Sequence, residues 1–156
     1  MVKIKIQRIS DQNFCQYGQV VSFPESAPTA QSLEFKFWSD LAHYYIDGES
    51  EIGICTVYYQ PKSVASCLER HVETPEILIP IEAPFLLPLL LDKEKSEKVA
   101  VFQVSLGEAV IVNPGVWHGA CLPVGRQESS YFVIFKRGTP HTDVEKKPVQ
   151  PIEIVE

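Results

Sequence analysis

Glu69, Arg70 and His71 stand in a row, Glu76 follows five positions after the histidine, and His118 closes a second block, Asn113-Pro114-Gly115-Val116-Trp117-His118. Two carboxylates and two imidazoles at this spacing suit two kinds of chemistry. They form a borderline-hard donor set for a divalent transition metal such as Zn, Mn, Ni, Fe or Co, rather than for Ca. They also offer a base and an acid for proton transfer on a small polar substrate. Side chains two apart on a strand share a face, so Glu69 and His71 point together while Arg70 points away, to the surface or a subunit contact. Pro75 favours a turn that returns Glu76 on a neighbouring strand beside them. Asn113-Pro114-Gly115 suits a type II turn, and a turn that rigid fixes the direction of the strand carrying His118.

The candidate metal ligands are therefore Glu69, His71, Glu76 and His118, and the candidate catalytic residues are Glu69, His71 and His118. Three residues are candidate substrate contacts. Tyr58 competes with Tyr59 for the inward face of one strand, Trp117 is a platform if it is not barrel packing, and Lys136, beside Arg137, would neutralise a substrate carboxylate. His43 and His141 lack convergent partners. No organic cofactor is expected.

Positioning these groups falls mainly to strands. Val2, Ile4 and Ile6 alternate with polar residues, and the same period-2 pattern marks Leu33 to Phe37; Gln19 to Phe23 resumes as strand, and Ile52 to Gln60 is rich in β-branched and aromatic residues. Val64 to His71, Glu76 to Ile81, Phe85 to Leu91, Val99 to Ser105, Ala109 to Val112, His118 to Leu122 and Ser130 to Lys136 complete the strands, separated by Pro, Gly or charged turns. Ser10 to Tyr17 predicts the one short N-terminal helix, capped by Ser10 and closed by Gly18. From about Thr139 to Glu156 three prolines predict an extended C-terminal tail over the surface. The expectation is a mainly-β chain, one domain over residues 1–156, folded as a single β-barrel or jelly roll.

Composition narrows the partners. A net charge of −6 and a pI near 5.2 disfavour nucleic acid, whose phosphates need a basic face. Phe85 to Leu91 is too short, and broken by Pro88, to span a membrane, and the alternating N-terminus lacks the apolar run of a signal peptide. Cys15, Cys55, Cys67 and Cys121 form no C-x-x-C pair, which predicts free thiols in a cytoplasmic protein.

The motifs resemble the cupin superfamily, whose first motif runs H-x-H and then Glu. Glu69 stands at its first His, His71 at its second and Glu76 at its Glu. Gly107, Gly115 and His118 match the second motif, with Pro114 shifted by one position. The motif glycines are absent at Ser63 and Ala83, and Leu122 replaces a closing Asn. Within the cupins the chain resembles the ureidoglycolate lyases over nearly its whole length: Phe14 to Val21, Leu68 to His71, Thr74 to Pro80, Gly115 to His118, and Phe132 to Arg137 ahead of Asp143-Val144-Glu145. That resemblance implies a homodimeric cupin barrel that eliminates urea from ureidoglycolate, a small polar carboxylate, to give glyoxylate in purine (allantoin) breakdown. Three positions depart from the family: Glu76 replaces a usual Gln and favours a metal, Tyr58 lies near a usual Arg, and Gly119 replaces a common second His. A cupin isomerase or lyase acting on another hydroxy or sugar acid, and a non-catalytic cupin that binds a small ligand, are the alternatives.

Overall fold

The computed structural model describes residues 1–61 and 64–155. β1 (Val2–Arg8) leads into a single helical turn, α1 (Asp11–Phe14), and then into β2 (Gly18–Val21). An exposed hairpin of β3 (Ala30–Gln31) and β4 (Lys36–Phe37) precedes the long β5 (Ser50–Tyr58). β6 (Val64–Arg70), β7 (Glu76–Pro80), β8 (Phe85–Leu90), β9 (Ala100–Val104) and β10 (Ala109–Val112) follow. β11 (Trp117–His118), β12 (Leu122–Pro123), β13 (Glu128–Lys136), a second helical turn α2 (Thr139–Thr142) and β14 (Glu145–Val155) complete the chain.

These strands form a mainly-β cupin-like barrel, as expected. One sheet runs β11-β6-β14-β1-β9-β8-β12, and an added β11–β8 pairing closes six of its strands into a ring. A five-stranded sheet, β2-β10-β7-β13-β5, faces it. Alternation along the shared strands fills two separate cores. Leu86, Leu90, Val101, Leu68, Trp117 and Ile152 join one cluster. Leu87, Leu89 and Phe102, pointing the other way, meet Leu78, Val110, Val112 and Tyr131 of the five-stranded sheet. β8 is apolar on both faces for this reason, and all six of its residues are buried.

Five sequence expectations change in detail. The N-terminal helix is one turn, not two. Ser10 caps it in a reciprocal box with Asn13, whose side-chain oxygen accepts from the Ser10 N–H at 2.9 Å. Gly18 does not close that helix but opens β2, where a Cβ would sit 1.7 Å from the Ile111 carbonyl oxygen. Leu33 to Phe37 is not a half-buried strand: only Lys36–Phe37 pairs, and Leu33, Phe35 and Phe37 are exposed.

The strand predicted over His118 to Leu122 is split into β11 and β12. Both pair with β8 on either side of Pro88, which has no N–H to offer, while the Gly119 N–H donates to the Pro88 carbonyl at 3.0 Å. The segment after Thr139 is extended, but it does not wrap the surface. β14 is inserted between β1, in parallel, and β6, antiparallel.

Ile152 on β14 is fully buried. Replacing it with Ala should therefore destabilise the fold by about 2–4 kcal/mol, the range for a core cavity, where a surface tail would lose less than about 0.5 kcal/mol. Urea denaturation of the two proteins measures the difference.

Candidate metal and active centre

Backbone register brings the candidate residues together. His118 on β11 pairs directly with Glu69 on β6, and cross-strand partners share a face. His71 lies two residues on, just past the end of β6 and on the same side. Asn113 to Val116 forms the expected type II turn: Gly115 has φ 84°, and the Val116 N–H donates to the Asn113 carbonyl at 3.3 Å. That turn also locks onto the other motif, because the Gly115 N–H donates to the His71 carbonyl at 2.7 Å. The segment from Val72 to Pro75 then crosses to the five-stranded sheet, where Glu76 opens β7 opposite Val112. Each sheet thus contributes part of the centre.

Asp143, between α2 and β14, controls that crossover. Its carboxylate accepts from the Val72 N–H at 3.0 Å and the Glu73 N–H at 2.9 Å. Its carbonyl lies 2.7 Å from His71 Nδ1. A carbonyl only accepts, so Nδ1 carries the proton and Nε2 is the nitrogen that faces the centre. This is the usual way a ligating imidazole is oriented.

Glu76 Oε2 lies 3.3 Å from His71 Nε2 and 2.9 Å from His118 Nε2, and all three side chains are buried. The closer approach lacks the alignment of a hydrogen bond, leaving Glu76 Oε2 and His118 Nε2 buried without hydrogen-bond partners. Donor atoms of Glu69, His71 and His118 lie within 4.8 Å of one another. For metal–ligand bonds of about 2.1 Å, neighbouring ligand atoms stand roughly 3.0–3.4 Å apart. Orphaned, converging donors at 2.9–3.3 Å therefore fit a divalent metal. Burial alone would raise the Glu76 carboxyl, but the positive charge of His118 and His71 at 2.9 and 3.3 Å outweighs it and holds the group at about 2. Burial also opposes charge on His71; the nearby Glu76 carboxylate, the Asp143 carbonyl and Glu69 together raise it above its ordinary 6.5.

A cavity of about 470 Å³ opens beside Glu69, His71 and Glu76, within the range of small-molecule sites. Tyr131, Val133 and Phe135 of β13 line it, with Glu51, Gly53 and Cys55 of β5. Burial, the largest effect, and the Cys121 and Cys55 thiols push the Tyr131 phenol well up, so it stays protonated and can only donate or accept a hydrogen bond.

Arg70 does point away. It pairs with Asp92 at 3.0 Å and Glu145 at 2.9 Å and lies 4.5 Å over the Trp117 ring. The three expected substrate contacts fall elsewhere. Trp117 is buried in the core of the six-stranded ring, Tyr58 points to solvent on the outer face of β5, and neither it nor Lys136 is among the residues lining the cavity. Lys146 lines it instead, a residue sequence reading missed, as it did Tyr131 and the clamping role of Asp143. For Tyr131 the signal is its alternation with Val133 and Phe135. For Asp143 and Lys146, the neighbouring Asp143-Val144-Glu145 block already carried the family match.

Comparison with solved structures finds partial likeness to oxalate decarboxylase from Bacillus subtilis, 16% identical with a TM-score of 0.48 over 63% of this chain and 24% of that one. Another is the formate complex of Lactobacillus farciminis oxalate decarboxylase, 13% identical, TM-score 0.46, covering 63% and 26%. Peruvianin-I, a cysteine peptidase from Thevetia peruviana latex, is 13% identical, TM-score 0.48, covering 65% and 57%. The chain thus spans about a quarter of the length of the decarboxylases it matches. Sequence comparison with curated proteins finds no match. The family model for ureidoglycolate lyase matches residues 1–156, and the chain belongs to the ureidoglycolate lyase family.

Proposed function

We propose that the protein is a carbon–nitrogen lyase that cleaves ureidoglycolate to glyoxylate and urea in purine (allantoin) breakdown, with His71, His118 and Glu76 holding a divalent metal beside Glu69. The observation that carries this reading is the full-length family match on a chain whose motif residues converge on one centre, three of them lining the cavity beside it. Two of the chain's departures from the family weigh little. Tyr58 faces solvent. At Gly119 a Cβ would already press within 3.2 Å of Pro88 and 3.4 Å of Leu68, leaving little room for the imidazole common there.

Ureidoglycolate is a carbinolamide. Its cleavage breaks the O–H and C–N bonds, forms a C=O bond, and delivers a proton to the departing urea nitrogen, with no net redox change. A divalent ion, when bound, supplies polarisation of the carbinol oxygen and a lower pKa there. Glu69 is the candidate base: it lines the cavity beside the two imidazoles, takes the hydroxyl proton and returns it to the leaving nitrogen. Tyr131 offers a neutral hydrogen bond from the opposite wall, and Asp143 keeps His71 in one tautomer.

We further infer a homodimer that uses the outer face of β5. Ile52 and Ile54 are each 65% exposed there, and the exposed Leu33 and Phe35 of the preceding segment add apolar surface from the same chain. Four free cysteines suit a reducing compartment, and we assign the protein to the cytoplasm. No helix among the described residues is long and apolar enough to cross a membrane.

Three outcomes test these readings. Elemental analysis should find about one divalent metal per chain, reduced at least tenfold in Glu76→Gln and His118→Ala, consistent with loss of a ligand. Full urea release by demonstrably metal-free protein would remove the metal from the reaction.

The pH dependence of the metal-free protein is fixed in sign. Glu76 is depressed from 4.5 to about 2, so its contribution is present above pH 4.5 and lost as pH falls through about 2. His71 is raised above 6.5, so its contribution is complete below pH 6.5 and lost as pH rises through its folded value. Melting temperature across pH 4 to 9 should therefore decline on the alkaline side, added metal should reverse that decline because ligands are neutral imidazoles, and Glu76→Gln should flatten it. Sedimentation of Ile54→Asp should yield monomer where the wild type is a dimer; an unchanged dimer would move the interface elsewhere.

A further inference from the structure

The charges lining the cavity are poorly matched to an anionic substrate. Glu51, Glu69 and Glu76 bring three carboxylates to its wall, and Lys146 is the one ammonium among the described residues there. The carboxylates are not equivalent. Glu76 faces the two imidazoles, and Glu51 Oε2 accepts the Gly138 N–H at 3.0 Å. Lys146, by contrast, forms no ion pair within 4.0 Å among the described residues, whereas Arg70, Arg137 and Lys3 are all paired.

Register places this cation beside the centre. Lys146 on β14 pairs with Glu69 on β6, while the adjacent pair, Glu145 with Arg70, forms its ion bridge on the opposite face. A second, smaller opening of about 250 Å³, which reaches His118 and Cys67, is also lined by Glu69 and Lys146. The ammonium therefore stands between two approaches to the same carboxylate and imidazoles. A carboxylate entering either of them meets Lys146, and a long flexible stem lets the ammonium follow it.

We propose that Lys146 binds the substrate's carboxylate, holding it at the mouth so that the carbinol end of the molecule lies against Glu69 and the histidines. This rests on the ureidoglycolate reading for the identity of the substrate. It assigns the carboxylate contact to β14 rather than to the strand end at Lys136.

Steady-state urea release and calorimetric titration with glyoxylate, the carboxylate product, test the assignment on wild type, Lys146→Met, Lys146→Arg and Lys147→Met. Loss of one charge-assisted contact should raise KM and weaken glyoxylate binding by about 10- to 100-fold in Lys146→Met, with kcat within roughly threefold. Lys146→Arg should restore both to within a few-fold. Lys147→Met, the next residue on the opposite face of the strand, should leave both unchanged, and melting temperatures should match because Lys146 is exposed. Unchanged KM and glyoxylate affinity in Lys146→Met would overturn the assignment while leaving the lyase reading intact. Glyoxylate binding that depends on Lys146, in a wild type that releases no urea, would instead overturn the lyase reading and uphold the carboxylate contact. A wild type that binds no glyoxylate would overturn the carboxylate contact itself.

Discussion

One acidic residue, Asp143, holds the centre in its working arrangement. Its side chain ties down the backbone where the chain leaves one sheet for the other, and its carbonyl fixes the proton on His71. Without that double hold, the imidazole has a choice of tautomer and the crossover loses two of the bonds that set where Glu76 begins β7. The centre is thus organised from outside the two motifs, by the residue that introduces the last strand. Buried donors are costly unless paired, and on His71 the pairing is split so that Nδ1 is bonded and Nε2 faces inward.

The sheets separate two environments that strand alternation keeps apart. Trp117 and Leu68 join the apolar cluster of the ring, while their immediate neighbours face the centre, Glu69 on the cavity and His118 on the smaller opening beside it. A one-residue slip of β6 or β11 would exchange them, burying charge in an apolar core and exposing tryptophan to the cavity. Arg70 guards against that slip, since its bonds to Asp92 and Glu145 and its stacking on Trp117 exist only in the observed register. It takes no part in the cavity, yet it fixes which face Glu69 shows.

Much of this was legible in the sequence because it depends on local rules. Period-2 alternation gave the facing of Glu69, Arg70 and His71, and Pro114-Gly115 gave the turn type. What eluded sequence reading depends on contacts between distant segments. Proline at 140, 148 and 151 argues against a strand, yet β14 accommodates Pro148 and Pro151 at a register shift in its pairing with β6. Misreading that strand as a tail hid both Asp143 and Lys146. Tyr58 and Trp117 were ambiguous for a simpler reason: aromatic residues suit a pleated surface whichever way they face, so their type carries no direction. The exposed aromatic segment around Phe35 mimics a half-buried strand for the same reason.

The parallel pairing of β1 with β14 joins Val2 to Ile152, nearly the full span of the chain. Contacts of such sequence separation form late, because the loop between them must close before they return any stability. Until β14 arrives, β1 and β6 carry open edges, Glu69 has no facing neighbour on that side, and the clamp on His71 is missing. A partly folded chain therefore has the apolar ring unsealed and the metal donors unorganised at the same time. The strand that seals the barrel is also the one that readies the chemistry, so a chain competent to bind its ligand has, by construction, finished folding.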